Sequence, residues 1–116
     1  MWVSVVVHAY CYIGKSGIGC YLGGIAKEIT SVTDTDLNNY KTGGVFFCNN
    51  DNSKQISNLP YVTGSNGLGF TLAVFNGNIY KFQILSPNND SNFYIRNMMG
   101  AGVWNGWRII NTTAVS

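Results

Sequence analysis

Five residues near the carboxy-terminal end carry the side-chain types that proteins use to recognise sugars: Tyr94, Arg96, Trp104, Asn105 and Trp107, within "YIRNMMGAGVWNGW". Aromatic faces accept the apolar side of a pyranose ring, and the planar groups of Arg and Asn bond vicinal hydroxyls in pairs. These five form the candidate carbohydrate- or receptor-binding set. A competing account makes Trp104 and Trp107 a cross-strand pair or core anchors. It leaves Arg96 and Arg108 lying over apolar surface or pairing between chains.

Other chemistry is weaker. Ala9-Tyr10-Cys11-Tyr12-Ile13-Gly14-Lys15-Ser16 matches a relaxed phosphate-loop pattern, which needs a helix starting at the Lys-Ser step. The residues that follow, "GIGCYLGG", are among the least helical available, so Gly14-Lys15-Ser16-Gly17 reads as a β-turn. Asp34 and Asp36 could share a cation, yet Asp36 is better explained as a helix cap. Hydrolysis of a glycosidic bond needs two carboxylates across a cleft, and the acidic residues Glu28, Asp34, Asp36, Asp51 and Asp90 mostly sit in turn-like sequence. Cys11, Cys20 and Cys48 lack CxxC spacing, and His8 alone completes no common zinc site. The cysteines read as reduced thiols, with a Cys11–Cys20 bridge open to an oxidising compartment. The expectation is a binding module without catalysis, cofactor or metal.

Composition bounds what positions these residues. The 116 residues suffice for one core. Only 10% are charged against 46% hydrophobic, which argues against disorder. Scattered Lys and Arg give a net charge of +2 without a basic cluster, so nucleic acid is not an expected partner. Lys15, glycines and tyrosines break up the apolar amino terminus well short of a membrane span, and no charged n-region marks a signal peptide.

Fourteen glycines and many asparagines predict short strands joined by tight turns. The expected fold is mainly β: one small domain of short antiparallel strands and hairpins with a single short helical turn. Residues 1–30 form an apolar strand segment, a neck or oligomer interface, with Val3, Val5, Val7, Ala9 and Cys11 on one face and His8 on the other. Residues 31–116 form the β domain. In it, Asp36-Leu37-Asn38-Asn39-Tyr40 reads as an Asp-capped helical turn closed before Gly43 and Gly44, "GVFFCN" is a strand, and residues 49–69 make a long polar surface excursion. "FTLAVFNGNIYKFQIL" is a hairpin turning at Asn76-Gly77, with Tyr80, Phe82 and Ile84 opposite in face to Lys81 and Gln83. A further Asn-Gly turn signal, Asn105-Gly106, lies between Trp104 and Trp107.

From about residue 34 to 112 the order of features resembles the pyocin-knob type domain of bacteriophage tail fibres and phage-tail-like bacteriocins. The resemblance rests on Asp36-Leu37-Asn38 with Gly44-Val45-Phe46-Phe47, on Gly69-Phe70-Thr71-Leu72-Ala73-Val74, and on Tyr94-Ile95-Arg96 with Trp104, Trp107 and Arg108. Ala73 departs from it, standing where that family often carries an acidic residue. The resemblance implies a fibre knob in a homotrimer, located in the virion tail beside other tail proteins. Its task would be attachment to a surface glycan or outer-membrane receptor. An alternative is a structural module that trimerises or caps the fibre, and a more distant one is a polysaccharide depolymerase.

Overall fold

The computed structural model describes residues 9–14, 17–22, 26–63 and 66–115. The fold is mainly β, as the composition predicts. Strands β1 (Ala9–Gly14) and β2 (Gly17–Leu22) form an antiparallel hairpin that sets Cys11 opposite Cys20 and closes at Gly14 opposite Gly17. β2 follows directly where a phosphate loop would begin a helix, so the nucleotide-binding pattern is a hairpin. Val3, Val5, Val7, His8, Lys15 and Ser16 lie outside the described residues.

Among the described residues the main sheet has six strands: β3 (Lys27–Glu28), β4 (Gly44–Cys48), β5 (Phe70–Gly77), β6 (Tyr80–Pro87), β7 (Phe93–Asn97) and β8 (Arg108–Ile110). They lie in chain order, antiparallel except for the parallel β3–β4 pair. Ile29, fully buried, bonds its N–H to the carbonyl of Phe47 at 2.8 Å. The sheet and its core therefore begin before residue 31.

Alternation along the strands sorts residues onto two faces. One face carries Phe46, Leu72, Leu85 and Tyr94 in one row and Gly44, Val74, Gln83 and Arg96 in the next. It is covered by Ile29, Leu37, Ile56, Leu59 and Tyr61, which makes it the core side. The opposite face carries Val45, Ala73, Ile84 and Ile95 in a row, with Phe47, Phe75, Phe82 and Phe93 around it. There Phe47, Phe75 and Phe93 remain 39%, 44% and 43% exposed, so this apolar face is only partly covered. Phe75 and Phe82 stack with centroids 4.5 Å apart.

Lys81 and Gln83 do point opposite to Tyr80, Phe82 and Ile84, but it is Gln83 that faces the core, fully buried. The hairpin does not turn at Asn76-Gly77. It turns two residues later, at Asn78-Ile79, with Gly77 opposite Tyr80 and Asn78 at φ +67°. Burial decides the difference: the observed register sets Leu72 opposite Leu85, both fully buried, whereas a turn at Asn76-Gly77 would have set Leu72 opposite Lys81.

The expected helical turn is a 3-10 turn over Leu37–Asn39, capped by the Asp36 side chain accepting from the N–H of Asn38. Residues 49–69 are more than a surface excursion. Asn49 caps a one-turn helix α1 (Asn50–Ser53), Ser53 is fully buried, and Ile56, Leu59 and Tyr61 pack on the core. Among the described residues no helix is long and apolar enough to cross a membrane.

Candidate functional site

Trp104 and Trp107 are three residues apart, so on a regular strand they would point to opposite faces. The chain avoids this with a bulge. Met98 bridges to Trp104 and Ile95 pairs with Arg108, leaving Asn105, Gly106 and Trp107 opposite only Arg96 and Asn97. The extra residue brings both indoles to the core-side face. The chain reverses at residues 99–102, where Gly102 has φ +82° and donates its N–H to the Met99 carbonyl, not at Asn105-Gly106.

Both indoles converge on Arg96. Its guanidinium carbon lies 4.6 Å from the ring centroid of Trp104 and 4.5 Å from that of Trp107, a double cation–π contact. Arg96 is 4% exposed. Its Nε donates to Gln83 Oε1 and its Nη1 to Asn38 Oδ1, each at 2.8 Å, while the buried Nη2 has no partner among the described residues. Burial lowers its pKa to about 10, with the nearby carboxylate of Asp36 acting in the other direction, so it is cationic at neutral pH.

Each indole N–H is also used. Trp104 donates to the Asn38 carbonyl at 3.0 Å and Trp107 to the Asn58 carbonyl at 2.8 Å. Asn58, at φ +65°, donates its side-chain amide to Asp36 Oδ1 at 2.6 Å. Gln83 donates to the carbonyls of Leu37 and Tyr40 at 2.9 and 3.0 Å, which ties the 3-10 turn to the sheet.

Around this cluster opens a pocket of about 290 Å³, walled by Arg96, Trp104, Asn105, Trp107, Asn38 and Asn58 among others. Four of the five candidate residues thus meet at one place. Tyr94 does not join them: it shares the core-side face but packs into the core, its ring 6.0 Å from that of Tyr61. Asn105 is held by bonds to Asn97, from its backbone N–H at 2.9 Å and its side-chain amide at 3.1 Å.

Asn38, Asn58 and Gln83 were not among the candidates. Asn38 lay in the "DLNN" turn signal, but nothing local placed it against Arg96. Asp34 and Asp36 are spent on loop geometry: Asp34 Oδ1 accepts from the N–H of Asp36 and the side chain of Asn39, and Asp36 caps the 3-10 turn. Among the described residues no three of His, Cys, Asp and Glu converge. Comparison with protein-family models, with characterised proteins and with solved structures finds no match.

Proposed function

We propose that this chain is a glycan-binding adhesion module, a knob of a phage or phage-tail-like tail fibre that attaches to a bacterial surface polysaccharide. The observation that carries the reading is the meeting of Trp104, Trp107, Arg96 and Asn105 at one small pocket with Asn38 and Asn58 in its wall. Aromatic surface beside the amides of Asn38, Asn58 and Asn105 is the chemistry that sugar hydroxyls and ring faces require, with the buried Arg96 holding the two indoles in place. The tail-fibre assignment rests on the order of sequence features from Asp36 to Arg108. In that setting the chain works as a homotrimer in the virion tail, and the half-exposed apolar face of the sheet supplies a surface for sister chains or other tail proteins.

A second reading is a module that trimerises or caps a fibre without touching the receptor. It is favoured by the internal use of both indole N–H groups and of the Arg96 Nε and Nη1. Calorimetric titration of the purified chain with host surface polysaccharide separates the two. Saturable binding that quenches tryptophan fluorescence and weakens in Asn105→Ala supports adhesion through the pocket. Absence of binding by a chain of oligomeric native mass supports the structural role.

A further inference from the structure

A second concavity, of about 720 Å³, lies where β4 ends, β5 begins and β6 ends, and it shares no residue with the tryptophan pocket. Its polar lining includes Asn49, Asn50, Asn88 and Thr71, and Phe47, 39% exposed, lines it as well. From this groove we infer a binding site for a neutral hexopyranose unit.

The groove is built rather than incidental. Asn49 Oδ1 accepts from the N–H of Asn52 and Asn50 Oδ1 from the N–H of Gly69, both at 2.8 Å. Each amide oxygen is thereby engaged by the fold, which sets the orientation of each amide, and neither Nδ2 group donates to a described residue. Gly69 in turn accepts at its carbonyl from the N–H of Asn88 at 2.7 Å, linking the strand ends on which these asparagines sit.

The wall is fixed by close backbone approach. A Cβ on Gly67, at φ +69°, would stand 1.8 Å from the Asn50 carbonyl oxygen, and one on Gly69 would stand 2.5 Å from that of Cys48. The Ser53 hydroxyl completes the joint, donating to the Asn50 carbonyl at 2.7 Å and accepting from the N–H of Leu68 at 2.9 Å. Donors held this way lose little entropy on binding.

The chemistry selects the ligand class. Amide donors and a hydroxyl match sugar hydroxyls, and an exposed phenyl ring offers a face for the apolar side of a pyranose. Among the described residues that line the groove Asp51 is the one charged side chain, and its ion-pair partner Lys54, at 3.5 Å, is not part of the lining, so no basic group is set there for an anion. A neutral sugar is favoured over a uronate or phosphate, whose charge would meet no basic lining group and would lie near the Asp51 carboxylate. The groove stands independently of the tryptophan pocket, and two subsites on one domain would engage a polysaccharide with higher avidity than either alone.

The test is an NMR titration of the isotope-labelled full chain with the methyl glycosides of glucose, galactose, mannose, rhamnose and N-acetylglucosamine. The expected result is saturable shifts in the side-chain amides of Asn49, Asn50 and Asn88 with at least one of them. Asn88 is exposed and its side chain bonds no described residue, so Asn88→Ala retains cooperative unfolding and weakens that binding about 3- to 10-fold. Shifts confined to the Trp104 and Trp107 indoles overturn the groove and leave the adhesin reading standing. No saturable shift at the asparagines with any of the glycosides also overturns it, whatever the polysaccharide titration shows.

Discussion

Gln83 and Arg96 sit directly opposite one another on β6 and β7, and the Arg96 Nε donates to Gln83 Oε1 at 2.8 Å on the buried side of the sheet. This polar pair occupies a row that a simple core would fill with aliphatic side chains. It holds the sheet to the 3-10 turn on one side and to the tryptophan bulge on the other.

Replacing Arg96 by Ala removes two hydrogen bonds and two cation–π contacts and strands the Gln83 oxygen. The expected loss is about 3–5 kcal/mol in urea unfolding. Arg96→Lys recovers little of it, because an ammonium lacks the planar fork that reaches Gln83 and Asn38 together. Full recovery by Lys would show that charge alone matters there.

Gln83→Leu matches the side-chain size and adds apolar surface, yet it leaves the carbonyls of Leu37 and Tyr40 and the Arg96 Nε without their partner. We expect destabilisation of about 2–4 kcal/mol and, in hydrogen exchange, earlier opening of residues 37–40 than of β5. A neutral or stabilising result would contradict the stapling role.

The Phe75–Phe82 part of the half-exposed apolar face, which lines neither pocket, predicts association through it. Light scattering across a dilution series should give a native mass above the 12.7 kDa of one chain. Phe75→Asp, which places a charge beside Phe82, should shift the population to monomer while leaving the circular dichroism unchanged. A wild-type monomer at every concentration would remove the case for that face as an interface.

Alkaline pH probes Cys48, a buried free thiol whose pKa is pushed up to about 11, first by burial and secondarily by Glu28. The unfolded thiol ionises near 9, so the unfolded state binds fewer protons between those values and stability falls as pH rises through them. The loss from this group is about 2–3 kcal/mol when complete. Tyr61, also raised chiefly by burial, acts with the same sign above pH 10. Cys48→Ala should flatten the earliest part of the decline, read from urea midpoints at successive pH values.

The strands were legible because β5 and β6 alternate cleanly, and the Asp36 cap was legible because its partner is two residues away. What was hidden depends on residues distant in sequence. Asn76-Gly77 is a strong local turn signal, and only the burial of Leu72 against Leu85 moves the turn to Asn78-Ile79. Gln83 reads as a solvent-facing polar residue until Leu37, Tyr40 and Arg96 surround it. The bulge that brings Trp104 and Trp107 to one face leaves no mark in composition, since it is a mismatch between two segment lengths. α1 was within reach: Asn49 ahead of Asn50-Asp51-Asn52 is a cap signal that the polar character of the segment masked.

The ends of the sheet decide how it can grow. Among the described residues β3, at one border, is the two exposed charged residues Lys27 and Glu28, and β8, at the other, is three residues opening on Arg108. So short a border offers a neighbouring chain few backbone groups to pair with, which discourages open-ended strand addition. Copies of this domain would meet broadside instead, and a broadside assembly can close after a fixed number of subunits rather than extend into a fibril.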